Sequence, residues 1–145
     1  MFSGEGTLTA TTGTKLSEGA DGTVQAAAYS AFLEVIEPYT FDILVYDGNE
    51  SAVKEAMVRF VRRIAEENGR YSQLVAAELA HPDSRYAINV TSGAVLADGT
   101  ELTPQQTTWW VGGAQAGAKY NESLTYAKYP GAVAATPVLT NSQIE

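Results

Sequence analysis

The chain has 145 residues, about the length of one domain, and its 45% apolar and 18% charged content is that of an ordinary folded protein. Seventeen acidic against nine basic residues give a net charge of −8, which opposes binding to phosphate backbones or anionic membrane. The absence of cysteine and the single histidine, His81, exclude a disulfide framework, a thiol nucleophile, Cys-ligated zinc or iron–sulfur sites, and a multi-His metal cage within one chain.

The N-terminus, Met1 to Gly6, lacks the basic and apolar regions of a signal peptide, and no apolar run approaches the ~20 residues of a membrane helix. Synthesis in the cytoplasm is the expectation. The triplets at Asn49, Asn89 and Asn121 then read as chance glycosylation matches. Residues 1–22 are rich in Gly, Thr and Ser and read as an arm or lead-in loop, with Thr7 to Thr12 as one weakly alternating strand. Residues 23–145 read as the domain proper.

Thr23 can cap a helix from about Val24 to Glu37, its apolar side set by Ala28, Phe32, Val35 and Ile36, and Pro38 stops it. Phe41 to Tyr46 reads as a mostly apolar strand of the kind covered on both faces. After the turn Asp47-Gly48-Asn49-Glu50, Ser51 is the expected cap of the strongest helix, about Ala52 to Asn68. Val53, Ala56, Met57, Phe60, Val61, Ile64 and Ala65 form its buried face. Lys54, Glu55, Arg59, Arg62, Arg63, Glu66 and Glu67 fall elsewhere, with Glu55–Arg59, Arg62–Glu66 and Arg63–Glu67 as i,i+4 pairs. Gly69 ends the helix as a left-handed cap.

Gln73 to Glu78 is the next strand, making a βαβ unit with parallel strands and a right-handed crossover. His81 to Ser84 is a turn, and Tyr86 to Thr91 a third strand. Ser92-Gly93 and Asp98-Gly99 flank Ala94-Val95-Leu96 as a small hairpin. Thr103 caps, and Pro104 begins, a helix to about Lys119 or Tyr120. Ser123 to Tyr129 reads as extended, broken by Pro130-Gly131. Thr140 followed by Gln143 has the look of a capping box with no helix after it, so the polypeptide is expected to continue. The fold class is α/β: an open, largely parallel sheet flanked by helices, with a small added β-hairpin.

Few residues in this frame suit chemistry. No Gly-x-Ser-x-Gly elbow occurs, and His81 sits in a turn, where a lone histidine is ordinarily just solvated. Asp47 and Glu78 are expected at the C-terminal ends of adjacent parallel strands, the edge where α/β sheets bind ligands, and two carboxylates there can hold Mg²⁺. The plainer alternative is turn chemistry at Asp47 and a solvated strand end at Glu78. Calorimetry with Mg²⁺ on the wild type and Asp47→Ala discriminates the two.

Gly112 to Ala118 lies inside a helix, so it is no phosphate loop. Gly113, Gly117, Ala114 and Ala118 read instead as a smooth strip for close packing. Trp109 and Trp110 point ~100° apart: one enters the core, and the other is exposed or meets a partner. Tyr120, Tyr126 and Tyr129 suit either a protein interface or ordinary packing.

The run Trp110-Val111-Gly112-Gly113-Ala114-Gln115-Ala116-Gly117-Ala118, then Asn121-Glu122-Ser123-Leu124-Thr125-Tyr126, then Tyr129-Pro130-Gly131-Ala132, resembles contractile phage tail sheath proteins. Gly113 stands on the family's second small position, and Asn121, Ser123 and Thr125 match its next motif. Val90 to Gly93, Asp98-Gly99 and Leu102-Thr103-Pro104 resemble the segment before that helix, and Leu139 to Glu145 resembles the start of the family's next one. The resemblance spans roughly Thr23 to Glu145 and is strongest from Ala87 onward.

It implies a non-enzymatic structural subunit with no cofactor and no metal. The central domain would have a subtilisin-like outline without a protease site. Its partners would be other sheath subunits, joined through terminal arms, and the tail tube; it would lie in the tail of a phage or bacteriocin-like particle. With those arms largely missing here, the chain alone is expected to be monomeric. The readings set beside it are a small acidic α/β enzyme or regulator using Asp47, Glu78 and Mg²⁺, and an unrelated interaction module.

Overall fold

A computed structural model describes residues 26–137 other than 82, 120 and 126. The expected cap at Thr23, the strand at Thr7–Thr12 and the Thr140–Gln143 capping box lie outside these residues. The order is α1 (Ala26–Ile36), β1 (Ile43–Tyr46), α2 (Ser51–Asn68), β2 (Gln73–Ala77), β3 (Ala87–Val90), β4 (Gly93–Leu96), β5 (Glu101–Leu102), α3 (Pro104–Gly117) and β6 (Ala132–Thr136).

The apolar strands form the centre. β1, β2 and β3 make a parallel sheet in that order, with Leu44 opposite Leu74 and Leu74 opposite Ala87. Alternation divides β2 between two cores. Leu74 and Ala76 join Val53, Met57, Phe60, Val61 and Ile64 of α2, while Val75 and Ala77 join Val90, Ile43, Val45 and Val111 on the opposite face. Helices therefore cover both sides, α1 and α2 on one and α3 on the other, as a buried parallel sheet requires.

The long helix keeps its expected length but not its cap. Glu50 is the N-cap residue and gives no side-chain hydrogen bond; Ser51 already lies in the helix. Gly69 is the left-handed terminator, with φ of 65° and its N–H donating to the Ile64 carbonyl. Lys54, assigned by sequence to the solvated side, is buried at 5% exposure. Its place three residues before Met57 and seven before Val61 sets it at the border of the apolar face.

α1 is rotated from its expected setting. Leu33 is buried with Tyr29 and Ile36 packed at its sides, while Phe32 and Val35 are 45% and 65% exposed. Partners on α2 decide this. Glu37 at the end of α1 accepts two hydrogen bonds from Arg63, at 2.8 and 2.7 Å, and Arg70 donates to the Glu37 and Tyr39 carbonyls. These bonds fix the side of α1 that faces α2. The i,i+4 pairs all form, at 3.6, 2.9 and 3.9 Å, although Glu37 is the shorter partner of Arg63.

The hydrogen bonds from Arg63 hold the Glu37 carboxyl below its ordinary range, with the positive charges of Arg63 and Arg70 adding to the effect. A lowered folded-state pKa contributes stability that is complete above the unfolded value, about 4.3, and is lost as pH falls through the folded value. The urea-midpoint gap between the wild type and Glu37→Gln should therefore be full above pH ~4.3 and narrow as pH falls below it. A gap of constant width would detach Glu37 from this linkage.

The expected hairpin is part of a second sheet. β4 pairs antiparallel with β5 and with β6, giving the order β5-β4-β6. The turn forms at Asp98-Gly99, where Gly99 has φ of 85° and the Asp98 carboxylate accepts from the Thr100 N–H at 2.9 Å. β6 was not anticipated. Its Ala-Val-Ala-Ala-Thr sequence has little strand preference, and pairing with β4 sets its conformation. Conversely, Ser123 to Tyr129 contains no strand among its described residues; Leu124 to Ala127 closes a turn instead.

Candidate functional site

α3 is built to sit tightly on the parallel sheet. Its start is a full capping box: the Thr103 hydroxyl accepts from the Gln106 N–H at 3.3 Å, and the Gln106 side chain accepts from the Thr103 N–H at 2.9 Å, with Pro104 in the first turn. The helix stops at Gly117, short of Lys119. Thr107 and Thr108 are buried. The Thr107 hydroxyl donates to the Ser92 and Pro104 carbonyls at 3.0 and 2.8 Å, and Thr108 donates to the Gln105 carbonyl.

Close approach occurs at a different glycine from the one expected. A Cβ on Gly112 would lie 2.4 Å from Val45 Cγ2, whereas Gly113 and Gly117 have nothing within 4 Å. Position 112 follows Thr108 by four residues and faces the sheet; 113 and 117 face away.

The N-terminal half of α3 meets the carboxyl ends of β1 and β2, bringing both sequence-predicted carboxylates to that edge. Asp47 accepts a hydrogen bond from the Trp109 indole N–H at 3.1 Å. Glu78 accepts from Gln105 Nε2 at 3.0 Å, and the same amide donates to Asn49 at 2.7 Å. Each carboxylate is thus tied to α3, near the end of the helix that attracts negative charge. Among the described residues, no group of three His, Asp or Glu is placed to hold a metal ion.

Sequence reasoning missed Gln105, which binds Glu78, and Asn49, which accepts from the same amide. The available signal was the helix start at Pro104, which fixes Gln105 one residue inside it. Tyr46 ends β1 beside this edge. Burial, with Tyr29 next to it, pushes its phenol up to about 12, so it stays neutral and cannot act as a base near neutral pH.

Neither tryptophan enters the main core. Trp109 is 58% exposed above Asp47, and Trp110 packs against Tyr129, in the segment leading to β6, with ring centroids 5.2 Å apart and planes tilted by 44°. Tyr120 and Tyr126 lie outside the described residues. Trp109 and Phe32 flank an open groove of about 330 Å³ beside β1. His81 is an exposed loop residue lining a separate cavity next to the start of α2. Asn89 is structural: its side chain accepts from the Leu79 N–H at 2.9 Å.

Comparison with known proteins places this arrangement. Residues 22–145 match the family model described as the phage tail sheath protein central domain. The chain is 42% identical over 141 residues to the Bacillus subtilis protein YqbK, covering 96% of this chain and 30% of that protein. It is 41% identical over 130 residues to the phage-like element PBSX protein XkdK of the same organism, covering 88% and 27%. The chain thus spans less than a third of these curated relatives. The crystal structure of the sheath tail protein from Desulfitobacterium hafniense superposes with a TM-score of 0.82 at 42% identity, covering 98% of this chain and 34% of that one. The sheath tail protein of Listeria innocua gives 0.76 at 38%, covering 90% and 30%.

Proposed function

The chain belongs to the phage tail sheath protein family, whose central domain it carries, and on that premise we propose that it is a structural part of a tail sheath subunit and not an enzyme. The observation that carries this reading is likeness along nearly the whole chain, in sequence and fold together, to the sheath tail protein of Desulfitobacterium hafniense.

In this reading, subunits made in the host cytoplasm assemble around a tail tube and become part of the virion tail. Contraction then drives the tube through a bacterial envelope. Residues 1–22 form the arm and 23–145 the core of the subunit. The layered core suits such a role, since packed interiors switch between discrete arrangements and do not deform continuously.

Immunogold electron microscopy tests the proposal. Antibodies raised against the chain are applied to particles induced from the source bacterium. Gold spaced along the whole tail, in extended and contracted forms, is the expected result. Gold confined to the baseplate, the head or free cell protein overturns it.

A further inference from the structure

The cavity beside the start of α2 has a volume of about 290 Å³ and is separate from the Asp47–Trp109 contact. Val58, Leu79 and Ala80 supply apolar wall, Ser51 and His81 supply polar rim, and Lys54 lines it from α2. Lys54 is only 5% exposed, and its ammonium belongs to none of the ion pairs among the described residues. No buried side-chain nitrogen among those residues lacks a partner. Among the described residues the Lys54 ammonium has no hydrogen-bond partner, and its side chain lines this cavity. The stem is buried and the charge is presented inward to a mostly apolar recess.

The other charged groups lining the cavity, Glu55, Arg59 and Glu78, already have partners. Glu55 lies 3.6 Å from Arg59, and Glu78 accepts from Gln105 at 3.0 Å. α2 adds a second attraction for an anion. Its N-cap residue Glu50 gives no side-chain hydrogen bond, so the first amides, beginning at Ser51, have no capping acceptor from that side chain. The apolar wall sets the ligand's class: Val58, Leu79 and Ala80 suit a carboxylate that carries a short hydrocarbon stem, which inorganic phosphate lacks.

We propose that this cavity is a carboxylate-binding site, in which Lys54 is the counter-ion and Val58, Leu79 and Ala80 hold a short apolar stem. A free short-chain carboxylic acid has this chemistry, and so does a Glu or Asp side chain offered by another copy of the chain.

The test uses the whole 145-residue chain, reductively methylated with ¹³C so that each lysine reports its own surroundings. Lys15, Lys119 and Lys128 serve as internal controls. Butyrate is expected to shift the Lys54 methyl signal saturably. Butyramide, which has the stem without the charge, and inorganic phosphate should each bind at least about tenfold more weakly, the worth of one charge-assisted hydrogen bond. The Lys54 signal is assigned by its loss in Lys54→Met, or in Lys54→Arg if the first variant does not fold.

No saturable shift, or one matched by butyramide or phosphate, overturns the site and leaves Lys54 an ordinary lysine reaching for solvent. Sedimentation at rising protein concentration then separates the sources once the site is established. Self-association that butyrate competes away assigns a side chain of a second copy; a monomer throughout assigns a free acid.

Discussion

Leu74→Ala is expected to remove about 3–5 kcal/mol of stability, a large part of the ~5–15 kcal/mol available to a domain of this size. Leu74 is fully buried on β2, the middle strand, paired on one side with Leu44 and on the other with Ala87. Its side chain faces the α2 core with Phe60, Val61 and Ile64. A strand bonded on both sides cannot shift to fill a void without disturbing both ladders, so the cavity term is near its maximum. Leu44→Ala, in the half-buried edge strand, should cost clearly less. Urea unfolding followed by far-UV circular dichroism gives both values. A Leu74→Ala loss below ~1 kcal/mol would mean that the α2 layer is not the principal core.

Gly112→Val should cost about 2–3 kcal/mol and Gly113→Ala should stabilise by up to ~1 kcal/mol, although the two glycines are neighbours in one helix. Replacing a helical glycine removes backbone freedom from the unfolded chain, and this gain is common to both. At position 112 the added atoms meet Val45, a stiff β-branched side chain, at 2.4 Å; at 113 they meet nothing within 4 Å. Overpacking outweighs the propensity gain at the first and is absent at the second. Thermal unfolding of the two variants reads the difference, and equal shifts of the same sign would show that α3 does not lie close on β1.

The parts of the fold legible in the sequence are those where one local signal dominates. The apolar period from Val53 to Ala65, the left-handed stop at Gly69 and the Thr103-Pro104 start each state their own geometry, and the structure agrees. The parts misread are those a distant partner decides. The rotation of α1 depends on Arg63, more than twenty residues away, and β6 exists as a strand because β4 pairs with it. The tight glycine was misplaced by one position because the sequence shows that α3 needs a smooth surface without showing which side meets Val45. Around the candidate site, Asp47 and Glu78 were correctly put at the strand ends, but their partners Gln105 and Trp109 come from a helix whose docking no local pattern records.

α3 touches all three parallel strands, and also β4 and β5 of the second sheet. In the chain it lies between β5 and β6, the two outer strands of the antiparallel sheet. The helix works as a crossbeam. A pull on β6 passes through its ladder to β4, from there through the Thr107–Ser92 bond and the α3 contacts, and so into β1 and β2. The two sheets cannot slide past each other unless that helix leaves its seat over Val45. Tension along the chain is thereby spread across two ladders and one packed face.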